Sequence, residues 1–130
     1  MIRDPLRKKY VADTPEERVR QWFIGVLLSR GVPEPLMKSE VSMKYGGKPY
    51  RADILVYDRS GAPLAIVECK REDVPVTGKT AEQALRYHGV LGVRYIMLTN
   101  GKNTYVYRKD ETGFAPVDAL PSYEEMLCPL

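Results

Sequence analysis

Apolar residues recur at Val19, Trp22, Phe23, Val26 and Leu27, the spacing of a helix with one buried face. The start of that helix is written just before it. Thr14 serves as N-cap, Pro15 suits the first helical position and Glu17 completes a capping box. Gly31 ends it near Arg30, and Pro33 and Pro35 prevent its resumption. The period then changes to two: Val41, Met43 and Tyr45 alternate with Ser42 and Lys44, predicting a strand over 36–45 closed by the turn Gly46-Gly47-Lys48-Pro49. Tyr50–Asp58 and Pro63–Arg71 are two further apolar strands. The turn-rich Arg59-Ser60-Gly61-Ala62-Pro63 between them predicts an antiparallel hairpin.

Asp73–Lys79, with Pro75 and Gly78, reads as a loop, and a second helix is expected from about Thr80 to Leu91. Its apolar face is Ala81, Ala84 and Leu85, continued by His88 and Leu91. Arg94–Thr99, with Val93 just before it, is a short, nearly continuous apolar strand of the buried kind, Asn100-Gly101 is a turn, and Thr104–Arg108 is a closing strand. Residues 1–13 are basic and without period, and are expected to form a short helix or a packed arm. After Gly113 the chain becomes acidic and proline-containing, with a short helix over Tyr123–Leu127. The order α, β, β, β, α, β, β makes three antiparallel strands and a helical crossover to a further strand. That is an α/β fold with a mixed sheet flanked by helices, in one domain of 1–130 with a basic arm (1–13) and an acidic tail (114–130).

Composition narrows this picture. The chain has 130 residues, of which 44% are hydrophobic, enough for one core and too many for a disordered chain. It has no apolar run long enough to cross a membrane and no apolar stretch at its start like that of a signal peptide. Cys69 and Cys128 are the only cysteines, and Cys69 falls inside a predicted strand, so a reducing cytoplasm is expected. All 20 Lys and Arg lie within 1–109, against 12 Asp and Glu there, whereas 110–130 holds five acids and no base. A basic body suits a polyanion such as nucleic acid; an ordinary solvated surface explains it equally well.

The hairpin concentrates chemistry at one end. Its first strand opens with Asp53 and its second closes with Glu68 and Lys70, so antiparallel pairing brings the three together. Glu68 and Lys70 share a face, roughly 6.6 Å apart along the strand. Two carboxylates held close repel unless a cation compensates. Lys70 supplies one charge, and a divalent ion supplies the rest. Oxygen donors with room for water suit Mg²⁺ or Mn²⁺ rather than Zn²⁺. Such an ion polarises a phosphoryl oxygen, and Lys70 can orient the attacking water, the parts needed to hydrolyse a phosphodiester. Taken alone, Glu68-Cys69-Lys70 reads more simply as a same-face ion pair worth at most about 1 kcal/mol. The placement of Asp53, the apolar remainder of both strands and the basic body favour the site.

An acid, a spacer and Glu-x-Lys on adjacent strands behind an acidic helix resemble the PD-(D/E)xK nuclease superfamily. More narrowly, the chain resembles the N-terminal nuclease domain of type I restriction enzyme R subunits. The residues that carry this are Arg3-Asp4-Pro5, Thr14-Pro15-Glu16-Glu17-Arg18-Val19-Arg20-Gln21, Arg51-Ala52-Asp53, Val67-Glu68-Cys69-Lys70, Gln83-Ala84-Leu85-Arg86-Tyr87 and Leu98-Thr99-Asn100-Gly101. The resemblance implies a restriction-endonuclease-like αβββαβ core and Mg²⁺-dependent (or Mn²⁺-dependent) endonucleolytic cleavage of DNA. Asp53 and Glu68 match its metal ligands, Lys70 its catalytic lysine, and Gln83 and Tyr87 the Gln-x-x-x-Tyr of related nucleases. Ala52 stands where the superfamily's name has proline.

The family also places an acid on the first helix, for which Glu16 and Glu17 compete. At about 100° per residue Glu16 falls nearer the apolar stripe and Glu17 nearer solvent, which favours Glu16. The partners implied are DNA and either a second copy of the chain or a larger restriction or repair complex, with no membrane. A nuclease fold that binds nucleic acid or a protein without cutting is the alternative. His88, the only histidine, is expected to be packed or at the surface, and Cys69 to be a small core residue.

Overall fold

A computed structural model describes residues 1–129. The first 13 residues form no helix; they are a small hairpin packed on the domain. Ile2–Asp4 (β1) and Lys9–Val11 (β2) pair antiparallel, with Ile2 opposite Val11 and Asp4 opposite Lys9. Asp4 holds this hairpin. It is fully buried; its Oδ1 accepts from the backbone N–H groups of Leu6 and Arg7, and its Oδ2 accepts from the Ser39 hydroxyl and from Arg7 Nε. Burial by itself pushes the Asp4 carboxyl up, but these hydrogen bonds outweigh it and hold the group below its ordinary 3.8. A carboxyl depressed in the folded state contributes stability above its unfolded value, and that stability is lost as pH falls below 3.8. Asp4→Asn should therefore lower stability at pH 7 by about 1–3 kcal/mol and flatten the acid limb. Urea midpoints measured against pH check this; curves of the same shape for both proteins would refute it.

Pro15–Ser29 forms α1, capped by Thr14, whose hydroxyl accepts from Glu17 N–H at 3.1 Å. The helix ends at Arg30, and Gly31 follows at φ +90°, the left-handed conformation glycine adopts without strain. The buried face is Glu17, Val19, Arg20, Phe23, Ile24 and Leu27, while Trp22 is 48% exposed. The helix is thus rotated from the expected stripe. Glu17 points inward and Glu16 toward the rim, the reverse of the wheel estimate. Only half of the predicted capping box forms, because the Glu17 carboxylate turns to Arg7 and Arg20.

The sheet has six strands in sequence order: β3 (Met37–Tyr45), β4 (Lys48–Tyr57), β5 (Pro63–Cys69), β6 (Tyr95–Thr99), β7 (Thr104–Asp110) and β8 (Gly113–Val117). All neighbours are antiparallel except β5 and β6, which run parallel through the crossover helix α2 (Gly78–His88). α2 begins two residues earlier than expected, with Thr77 as its cap, and stops at His88; Gly89–Leu91 continue as a 3₁₀ turn.

The acidic tail is part of the fold. β8 is the edge strand beside β7, and α3 (Tyr123–Leu127) buries Tyr123 and Met126. These two join Phe23, Ile24 and Leu27 of α1 against Ile54, Val56, Val67 and Met97 of the sheet. A second apolar group gathers Leu55, Ile66, Ile96 and Val93, with Leu85 of α2 packed against it. The hairpin β4–β5 runs through the middle of this core. Its ladder stops at Ile54–Val67, which leaves Asp53 and Glu68 where the strands part.

Candidate active site

The parting strands open a cavity of about 310 Å³ lined by Glu16, Glu40, Arg51, Asp53, Glu68, Cys69, Lys70 and Tyr87. A larger hollow of about 630 Å³, lined by Arg18, Val19, Trp22 and Gly101 among others, contains none of the titratable groups of this cleft. Of the residues expected from sequence, Asp53, Glu68, Lys70, Glu16 and Tyr87 share the cleft; Glu17 and Gln83 do not line it. Glu17 is buried under the N-terminal hairpin with Arg7 and Arg20, and also accepts from Gln21 Nε2 at 3.0 Å. Gln83 is exposed on α2.

Each carboxylate is held by its own partners. Asp53 Oδ2 accepts from Cys69 N–H at 2.7 Å, so the end of β5 orients the acid of β4. Asp53 Oδ1 lies 3.6 Å from Arg20 Nη2. Glu68 Oε1 accepts from His88 Nε2 at 3.3 Å, and Glu68 Oε2 lies 3.6 Å from Lys70 Nζ. The His88 hydrogen bond is the main reason the Glu68 carboxyl sits below its ordinary range. Burial opposes that shift and the Lys70 charge adds to it. Burial pushes the Cys69 thiol up, so it stays protonated and packs in the core as expected.

Three neighbours of the site were not among the site residues expected from sequence. His88 is buried at the end of α2 and its Nδ1 has no partner among the described residues. Arg20 is buried on α1 and reaches Glu16 (3.9 Å), Glu17, Glu40 (2.5 Å) and Asp53. Glu40, which also pairs with Arg51, sits in β3 at φ +56°, where the β3–β4 ladder skips a pair. A left-handed glutamate inside a strand is strained. Tyr87, which lines one side of the cleft, packs against Tyr50 with ring centroids 5.0 Å apart and the rings tilted by 45°.

Among the described residues no three His, Cys, Asp or Glu side chains form a cage for an ion. Mg²⁺ needs none: it is held through one or two carboxylates and keeps several waters. Asp53 and Glu68 fit that requirement. Both present oxygen, Asp53 Oδ1 accepts no hydrogen bond among the described residues, and the cavity leaves space for water.

A mixed sheet with one helix before it, a crossover helix within it and two carboxylates where its central strands diverge defines a restriction-endonuclease-like domain. The chain belongs to the family of type I restriction enzyme R protein N-termini, whose model matches residues 15–121. Two solved structures share the fold. One is a fragment of a chain assigned as an HsdR subunit of a type I restriction enzyme from Vibrio vulnificus YJ016, 25% identical, with a TM-score of 0.60 over 92% of this chain and 26% of that one. The other is a protein of the DUF820 group from Anabaena variabilis ATCC 29413, assigned as a nuclease, 16% identical, with a TM-score of 0.55 over 92% of this chain and 79% of that one. The chain therefore spans about a quarter of the length of the HsdR chain it matches. No curated protein matches it. Among the described residues no helix is long and apolar enough to cross a membrane.

Proposed function

We propose that this domain is a metal-dependent endonuclease that hydrolyses phosphodiester bonds of DNA in the cytoplasm, within a larger restriction assembly. The observation that carries the reading is the meeting of Asp53, Glu68 and Lys70 in one cleft. Asp53 and Glu68 would hold Mg²⁺ or Mn²⁺, which supplies Lewis acidity at the phosphoryl oxygen and activates water. The chain's own residues do the rest. Cys69 N–H fixes the Asp53 carboxylate, and His88 fixes that of Glu68. The Lys70 ammonium, 3.6 Å from Glu68, orients the attacking water and stabilises charge that develops on the phosphate. Glu16, at the rim of the cleft, is placed to accept a proton through water, and Tyr87 borders the path of the substrate.

Incubating plasmid and single-stranded DNA with Mg²⁺ or Mn²⁺ tests this, beside Glu68→Ala and Lys70→Ala. Each variant is expected to lose about a hundredfold or more of the wild-type rate, the typical size of a removed electrostatic stabiliser. Equal cleavage by all three proteins would defeat the assignment. A second reading, a fold that binds DNA without cutting, is favoured by one observation: the Arg20 guanidinium already stands 3.6 Å from Asp53 and offsets its charge. Retarded DNA that stays intact with either ion would establish that reading instead.

A further inference from the structure

β3 and β4 continue past the cleft. β5 pairs with β4 only from Ile54–Val67 onward, whereas β3 and β4 stay paired from Val41–Ala52 to Tyr45–Lys48. They then turn through Gly46 and Gly47, both at positive φ, the geometry of a tight hairpin turn. Residues 41–52 therefore form a two-stranded ribbon beyond the point where β5 stops pairing. Ala52 and Tyr50 anchor its base, Tyr50 against Tyr87 of α2. Its far end, from Lys44 to Pro49, is exposed at every position.

The charges of the ribbon are Lys44, Lys48 and Arg51, with no acid between 41 and 52. Lysine on a bare sheet edge keeps it from pairing with another chain, and the same side chain is a phosphate binder. Arg51 is engaged by Glu40, but among the described residues neither Lys44 nor Lys48 belongs to an ion pair. Strand alternation places Lys44, opposite Pro49, on the same face as Arg51, and Arg51 itself lines the cleft, so a line of positive charge leads to the cleft carboxylates. A two-stranded ribbon also has the width that the major groove of B-form DNA admits.

We propose that the β3–β4 ribbon is a phosphate-binding arm that seats duplex DNA at the Asp53–Glu68 cleft, with Lys44 and Lys48 as its sequence-independent contacts. This rests on the nuclease reading and adds the element that holds the substrate. The test measures binding of a short fluorescein-labelled duplex by anisotropy across a salt series, without divalent ion. Wild type is expected to bind, and Lys44→Gln/Lys48→Gln to bind about tenfold or more weakly, with the slope of log affinity against log salt reduced by about 2. Lys44→Arg/Lys48→Arg should restore both. Lys38→Gln/Lys109→Gln removes the same charge at the far end of β3 and on β7 and should leave the slope unchanged.

Wild-type binding with an unchanged slope in the Lys44→Gln/Lys48→Gln protein would overturn the arm and leave the nuclease reading standing. A wild-type protein that neither binds nor cuts DNA would overturn both. Tighter binding of single strands than duplex, lost equally in that variant, would overturn the duplex assignment.

Discussion

Exchanging Glu68 for Gln is expected to slow phosphodiester cleavage on the order of a thousandfold while leaving the melting temperature nearly unchanged. Gln keeps the length of the side chain and an oxygen to accept from His88 Nε2, now 3.3 Å from Glu68 Oε1. What it removes is charge. Glu68 is held ionised below its ordinary range, chiefly by the His88 hydrogen bond and further by Lys70, so its negative charge is present throughout the neutral range. A divalent ion between the strands would lose one of two carboxylates. Several kcal/mol of charge stabilisation corresponds to about three orders of magnitude in rate. Stability responds differently. The Glu68–Lys70 pair is partly exposed, and such pairs contribute at most about 1 kcal/mol.

Activity and stability therefore separate the two readings of Glu-x-Lys. An ordinary surface ion pair would make Glu68→Gln nearly silent in both measurements, and that outcome would remove the site. Asp53→Asn should behave alike in rate, since its Oδ2 would still accept from Cys69 N–H. Calorimetric titration with Mn²⁺ gives a second readout, free of any contaminating nuclease: both variants should bind it at least about tenfold more weakly.

The central hairpin was legible because two local signals agreed, a strongly apolar run on each strand and turn residues between them. Antiparallel pairing then dictates the Asp53–Glu68 juxtaposition, and nothing further along the chain was needed to see it. Elements held by side-chain hydrogen bonds were not legible. β1 and β2 are three residues each and depend on Asp4, whose partner Ser39 is distant in sequence. β8 contains Pro116, which argues against an interior strand, and the structure places β8 at the sheet edge, where a missing N–H is tolerated. The rotation of α1 was hidden because the apolar stripe counted Trp22 and Val26, whereas the helix buries Glu17 and Arg20 as partners. Sequence periodicity treats both as surface residues. His88 lay on the expected apolar face of α2, but its contact with Glu68 comes from the packing of α2 against β6 of the sheet, which no local pattern encodes.

Arg20 carries the second large effect. Replacing it with Met is expected to destabilise the domain by about 3–5 kcal/mol, the range for removing one partner from a buried ion pair. That corresponds to a fall of roughly 10–20 °C in melting temperature. The guanidinium is buried among Glu17, Glu40 and Asp53, and the Glu17 side chain is itself only 6% exposed. Without Arg20, Glu17 keeps Arg7 at 2.9 Å and the amide of Gln21, while Glu40 keeps the exposed Arg51. Three carboxylates would then face one another around an apolar side chain, and their repulsion acts where α1 meets β3 and β4.

Lysine should rescue little, because its single ammonium cannot span acids on three elements as the planar fork does. Combining Arg20→Met with Glu17→Gln removes the most buried of the stranded charges. Thermal unfolding of the four proteins of this cycle should show at least about 1 kcal/mol of recovery, the coupling expected of direct partners. Strict additivity would mean that Glu17 and Arg20 do not act together. Because Arg20 also stands 3.6 Å from Asp53, the recovery should be partial: Gln at 17 repairs the buried side of the network but leaves Asp53 facing Glu40 without the cation between them.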